Sequence, residues 1–78
     1  MKSKVLSILK KITGSKIVEE NLEIDLFENF LMDSMDFIEM LVEFEKRFNI
    51  YISPSEFERD ELNTPSKIIK IVENKLCN

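Results

Sequence analysis

The chain has 78 residues, a net charge of −4, no histidine and a single cysteine, Cys77. That length allows one small domain, in which a deep catalytic cleft would consume most of the core. The chain lacks the usual general base, the usual zinc ligands and any internal disulfide, which argues against a stand-alone enzyme and fits a reducing compartment.

The acidic charge is concentrated in the middle of the chain. Residues 23–45 carry eight acids and no Lys or Arg: Glu23, Asp25, Glu28, Asp33, Asp36, Glu39, Glu43 and Glu45. Such a band argues against nucleic-acid binding, because it repels phosphate backbones, and it attracts a basic protein partner. The acids lack the spacing of a calcium-binding loop, so no metal site is predicted. Apolar runs reach only three residues, which predicts no membrane insertion and a cytoplasmic protein.

The first predicted helix covers about residues 2–13. Its apolar side chains recur at i, i+3, i+4 and i+7: Val5, Ile8, Leu9 and Ile12. Gly14 ends this pattern. Residues 14–33 are apolar-rich but show no sustained period, which predicts an ordered connection with at most one short turn.

The second predicted helix begins at Asp33-Ser34. Asp33 is a good N-cap and Asp36, three residues later, adds favourable charge at the helix start. The stripe expected to face the core consists of Ile38, Leu41, Val42, Glu45 and Phe48, widened by Phe37 and Phe44. Asn49 can end the helix in the left-handed conformation.

Two further start signals follow a packed loop at residues 50–52. Ser53-Pro54-Ser55-Glu56 predicts a short third helix that runs no further than residues 58–61. Asn63-Thr64-Pro65 starts a fourth helix over about residues 65–76. The fold class is therefore all-α, a small four-helix bundle with three longer helices and a short third one.

Ser34 has two interpretations. In the simpler one, Asp33 caps a helix and Ser34 is only a small polar residue in its first turn. In the other, Ser34 presents its hydroxyl where the amides and the dipole of the helix best accommodate a phosphodiester.

A resemblance favours the second interpretation. The segment Leu31-Met32-Asp33-Ser34-Met35-Asp36 resembles the attachment motif of the acyl and peptidyl carrier proteins, in which the serine carries phosphopantetheine. Within that family, three segments are similar to the D-alanyl carrier proteins of teichoic acid D-alanylation in Gram-positive bacteria: residues 25–35, 52–59 and 63–69. The size, the acidic balance and the helix order fit the same family.

The resemblance implies a non-catalytic, monomeric carrier. Phosphopantetheine from coenzyme A would be attached to Ser34 and would hold D-alanine as a thioester, for D-alanylation of lipoteichoic acid. The implied partners are a phosphopantetheinyl transferase, a D-alanine-activating ligase and a membrane-bound acyltransferase. The implied partner-recognition residues are Asp33, Met35, Asp36, Glu39 and Glu43.

The chain departs from the family pattern in two ways. The family often has a glycine two or three residues before the Asp-Ser pair, where this chain has Phe30-Leu31-Met32, so a different approach of the loop is expected. Asp36 and Glu39 make the second helix more acidic than expected for a D-alanyl carrier. An acyl carrier of fatty-acid or polyketide synthesis therefore stays open as an alternative, as does an unmodified helical adaptor.

Overall fold

The computed structural model describes residues 2–77, and within that range every regular element is helical. The elements are α1 (Lys2–Thr13), α2 (Ile17–Glu20), α3 (Ser34–Phe48), a 3-10 helix (Arg59–Glu61) and α4 (Pro65–Cys77). The predicted all-α bundle is confirmed, with α1 and α3 at the predicted positions and α4 one residue longer than predicted. The short turn allowed in the first connection is α2.

The ends of the long helices are set by local signals. Gly14 follows α1 with a φ of 69°, and its amide donates to the Lys10 carbonyl at 2.8 Å. Asn49 follows α3 with a φ of 55° and its amide donates to the Glu45 carbonyl. Thr64 caps α4, because its hydroxyl accepts from the Lys67 amide at 3.3 Å. Each of these end signals could be predicted from the sequence, since each acts within one helical turn.

α1 is the centre of the bundle, because it packs against each of the other three α-helices. Its buried face meets the buried faces of α3 and α4: Val5, Leu6, Ile8, Leu9, Met40, Leu41, Phe44, Ile68, Ile69 and Val72. The connection between α3 and α4 completes this core with Ile50, Ile52 and Leu62, all buried. Residues 50–52 therefore form the packed loop that was expected.

The face of α3 that packs on the core differs from the predicted stripe. Ile38 and Val42 were expected to face inward, yet each is 43% exposed, whereas Met40 is fully buried. α3 carries apolar residues around more than half of its circumference, so periodicity fits two orientations. Tertiary packing selects the one that buries Met40 with the predicted Leu41 and Phe44, of which Phe44 is the largest fully buried side chain.

The short third helix lies later in the chain than predicted. Its expected start is partly formed, because Glu56 accepts from the Ser53 amide at 3.2 Å, but only one turn follows. The chain then leaves the helical conformation at Glu58, whose ψ is 160°, and Glu61 accepts from the Glu58 amide at 2.8 Å. This second start signal interrupts the first, so the short helix is the 3-10 helix Arg59–Glu61.

Across residues 2–77, none of the helices combines the length and the apolar character needed to cross a membrane.

Candidate functional site at the start of α3

Ser34 is the first residue of α3 and is exposed. Asp33 precedes it in an extended conformation and accepts from the Asp36 amide at 2.8 Å, while Asp36 accepts from the Asp33 amide at 3.3 Å. This reciprocal capping box fixes the direction in which α3 leaves the loop. The Ser34 hydroxyl is thus held on a rigid helix end, where the dipole of the helix favours an anion.

The capping role of Asp33 can be separated from its charge. Asp33→Ala is expected to lower the free energy of unfolding by about 1 kcal/mol, because the Asp36 amide loses its acceptor. Asp33→Asn keeps an acceptor at the same position and is expected to stay within a few tenths of the parent. Urea denaturation of the two variants measures the difference. Equal losses in both would show that charge, not capping, gives Asp33 its effect on stability.

Asp25 ties the loop before Ser34 to the start of α4. Its carboxylate accepts from the amides of Phe27 at 3.0 Å and Glu28 at 2.9 Å, and from the Asn63 side chain at 2.7 Å. The Leu26 amide donates to the Asn63 carbonyl at 2.7 Å, which is a second hydrogen bond between this loop and Asn63. The hydrogen bond from the Glu28 amide, with those from Asn63 and Phe27, holds the pKa of Asp25 below its ordinary value.

These bonds predict a loss of stability in acid. A carboxyl group whose pKa is lower in the folded state stabilises the fold fully above its unfolded pKa, about 3.9 for aspartate, and loses that contribution as pH falls through the folded pKa. Glu56 acts in the same direction, because its ion pair with Lys75 and the Ser53 amide lower its pKa. We expect the Tm to fall as pH drops from about 5 to 3. Calorimetry of Asp25→Asn should show a shallower decline, and an unchanged slope would contradict the role of Asp25.

A groove of about 290 Å³ opens beside Ser34. One wall is aromatic, since Phe27 and Phe37 meet with ring centroids 5.9 Å apart. The Arg59 guanidinium lies 4.6 Å from the centroid of the Phe27 ring, a cation–π contact that holds the 3-10 helix against the loop before Ser34. Ile38, Pro54 and Phe57 complete the lining.

A larger cavity, of about 490 Å³, does not include Ser34. Its lining contains four carboxylates, which disfavour a phosphate group: Asp25, Glu28, Glu58 and Asp60. In the described part of the chain, no three potential metal ligands, these carboxylates included, lie close enough together to hold a metal ion. The groove beside Ser34 has no carboxylate among the described residues of its lining and includes Arg59, so it suits an anion better.

The predicted recognition residues share the first three turns of α3 and its cap, but differ in exposure. Asp33, Met35 and Glu39 are exposed, while Asp36 is half-buried in the capping box. Glu43 has only 18% of its side chain exposed and pairs with Arg47 at 3.5 Å. Its charge is thus partly taken up within the helix, and it is the least available of the five.

The sequence analysis did not predict that three apolar residues of α3 and of the loop before it are exposed. Ile38 and Val42 continue from Met35 at i+3 and i+7, so α3 shows an apolar stripe to solvent between its acids. α3 has more apolar residues than one buried face can hold, and this surplus could have indicated that some of them are exposed. The third is Phe30, which is 94% exposed.

Comparison with known proteins agrees with this geometry. Residues 3–72 match the family described as the phosphopantetheine attachment site. The chain belongs to this family. It is also similar to the D-alanyl carrier proteins of Bacillus cereus strain B4264 and Bacillus anthracis strain CDC 684, each 44% identical over 72 residues that cover 92% of this chain and 91% of the relative.

The site fits the cofactor of this family, a covalently attached phosphopantetheine. An attached phosphodiester needs an exposed hydroxyl and nearby donors. The Ser34 hydroxyl is exposed, and the side chain and carbonyl of Asp33 accept from the amides of Asp36 and Phe37, which leaves the Ser34 and Met35 amides as the open donors of this helix end. The chain is therefore a phosphopantetheine-binding carrier domain.

Proposed function

We propose that Ser34 is the attachment residue and that the chain carries D-alanine as a thioester for the D-alanylation of lipoteichoic acid. The observation that carries this proposal is the exposed Ser34 hydroxyl at the capped start of α3, inside the matched family region. The names of the relatives support D-alanine as the cargo. A location in the cytoplasm, where coenzyme A is available, goes with this function.

Attachment is a phosphoryl-group transfer to Ser34 that requires magnesium and a phosphopantetheinyl transferase. The Ser34 oxygen forms a bond to the phosphorus that bears pantetheine, and the bond from that phosphorus to the bridging oxygen of coenzyme A breaks. Adenosine bisphosphate leaves, and the hydroxyl proton passes to a base of the transferase. The group supplies the terminal thiol that holds the cargo. In this chain Asp33 positions Ser34, and the open amides and the helix dipole favour the new anion.

The partner surface that we propose is the first three turns of α3. Asp33, Asp36 and Glu39 would attract basic partners, with Glu43 contributing less because of its pairing with Arg47. Met35 would supply apolar contact. Exposed charges give fast association and modest affinity, as a carrier needs when it exchanges among a transferase, a D-alanine-activating ligase and a membrane-bound acyltransferase.

A carrier of this kind needs no catalytic residue of its own. An arm on a small domain raises the effective concentration of the cargo at whichever partner the domain has docked on. The capped, rigid start of α3 serves this purpose, because it fixes the origin of the arm relative to the docking surface. The chemistry is then left to the partner enzymes.

A small cargo also suits the interior of the bundle. A carrier of long acyl chains has to shelter them between its helices. Here the fully buried Phe44 and its neighbour Phe48, with ring centroids 5.8 Å apart, fill space on the inner side of α3. This packing favours D-alanine over the fatty-acid or polyketide alternative.

The proposal is tested in two steps by intact-mass measurement. The apo protein is first incubated with coenzyme A, magnesium and the transferase, and a gain of one phosphopantetheinyl group is expected. The holo protein is then offered D-alanine with ATP and the ligase, or a fatty acid with an acyl-carrier ligase. Formation of the D-alanyl thioester alone supports D-alanine as the cargo. Formation of the fatty acyl thioester alone overturns it.

No mass gain in the first step, under conditions that modify a control carrier, would overturn Ser34 as the attachment residue. The unmodified adaptor would then be the better account of the acidic surface.

A further inference from the structure

Phe30 stands in a conformation that does not suit its side chain. Its φ is 57°, in the left-handed region, where an L-residue with a bulky side chain is strained. The two other described residues with positive φ are Gly14 and Asn49, whose types tolerate it.

Backbone hydrogen bonds hold this turn, since the amides of Leu31 and Met32 donate to the Leu26 carbonyl at 2.9 and 3.1 Å, but the Phe30 side chain adds no packing of its own. The Phe30 side chain is 94% exposed, the highest value among the large apolar residues. Its amide donates to the Phe27 carbonyl at 3.2 Å, a bond that any residue type would form. The fold therefore holds the backbone of Phe30 in this conformation, while nothing in the packing needs a bulky apolar side chain there, and strained residues of this kind cluster at functional surfaces.

Phe30 lies close to the reacting hydroxyl. It precedes Ser34 by four residues, so their Cα atoms are at most about 14 Å apart. Met35, which is 81% exposed, follows Ser34 directly. Ser34 therefore lies between the two most exposed large apolar side chains described, with the carboxylates of Glu28 and Asp33 beside them.

We propose that Phe30 is an anchor for the enzyme that transfers phosphopantetheine to Ser34, and that it enters an apolar pocket with a basic rim on that enzyme. This inference rests on the proposed function. The transferase has to reach the Ser34 oxygen itself, and an interface of about 800 Å² per partner spans roughly 30 Å, so it covers Phe30 as well. Exposed aromatic side chains that fill a partner's pocket are typical anchors of such interfaces.

The charges around Phe30 indicate the chemistry of this partner. The cavity that Phe30 lines carries four carboxylates, those of Asp25, Glu28, Glu58 and Asp60, against one cation, Arg59, whose guanidinium already lies over the Phe27 ring. A second copy of the chain would bring a like charge of −4 against this surface, which disfavours self-association there. A basic enzyme surface is complementary.

The test compares Phe30→Asn with Phe30→Leu and with Tyr51→Asn, all as apo proteins, in steady-state assays with the transferase and coenzyme A. Asparagine tolerates the left-handed conformation but removes the apolar anchor, whereas leucine keeps an apolar side chain. Tyr51 is a matched control, an aromatic residue that is 65% exposed and lies in the loop after α3.

We expect Phe30→Asn to raise the KM for the carrier about tenfold with little change in kcat, and Phe30→Leu to raise it about threefold or less. Tyr51→Asn should keep the KM of the parent. The Tm of Phe30→Asn should equal or exceed that of the parent, which separates loss of docking from loss of folding.

An unchanged KM in Phe30→Asn, with the parent still modified, would overturn this inference and leave the proposed function intact. An equal rise in Tyr51→Asn would also overturn it, because the effect would not be specific to this position. A dimer of the parent that dissociates in Phe30→Asn without a change in KM would assign Phe30 to self-association instead. Failure of the parent to be modified at all would instead refute the proposed function.

Discussion

Ser34→Ala is expected to abolish the gain of phosphopantetheine completely while the protein stays folded. The reaction needs an oxygen nucleophile at this position, and alanine offers none. Folding should be preserved because Ser34 is exposed at the first position of α3, Asp33 supplies the cap, and alanine has the highest helix propensity. Intact mass reports the modification, and thermal unfolding reports the fold.

The matched control for this variant is Ser55→Ala. Ser55 is also exposed and also lies in the first turn after a start signal, where its amide contacts the Ser53 hydroxyl at 3.4 Å. The Ser55→Ala variant should gain one phosphopantetheinyl group, as the parent does. Modification of Ser34→Ala would assign attachment to a different residue, and loss of modification in Ser55→Ala would show that serine replacement acts indirectly.

Phe44→Ala is expected to have the largest effect on stability. Phe44 is fully buried on the inner face of α3 and stacks on Phe48. Truncation of a buried phenylalanine costs about 3–5 kcal/mol, from lost apolar burial and the cavity left behind. A domain of this size has a total stability of about 4–12 kcal/mol, so the variant should be partly or wholly unfolded at 37 °C.

Circular dichroism during urea denaturation measures this loss, and Phe30→Ala is its control. The control removes the same atoms from a side chain that is 94% exposed, so it should stay within about 0.5 kcal/mol of the parent. Similar losses in both variants would contradict the assignment of Phe44 to the core and of Phe30 to the surface.

The sequence by itself determined the features that depend on neighbouring residues along the chain. The ends of α1 and α3 follow from Gly14, Asp33 and Asn49, and the start of α4 from Thr64-Pro65. Each of these residues satisfies or terminates backbone hydrogen bonding within one turn, so no distant contact is needed to predict it. The candidate site could be predicted for the same reason, because Ser34 and its capping residue Asp33 are neighbours in the sequence.

The tertiary structure decided the features in which two local solutions compete. Periodicity allowed α3 to bury either Ile38 and Val42 or Met40 beside the predicted Leu41 and Phe44, and tertiary packing selected Met40. Two start signals, at Ser53 and at Glu58, competed for the short helix, and the second interrupted the first.

The left-handed conformation of Phe30 was not predicted, because the path of the loop before Ser34 depends on hydrogen bonds of Asp25 and Leu26 with Asn63, which lies 38 and 37 residues later. The general physical reason is that capping and turn chemistry act within a few residues, whereas the choice of a buried face and the path of a tethered loop depend on which distant surfaces become apposed.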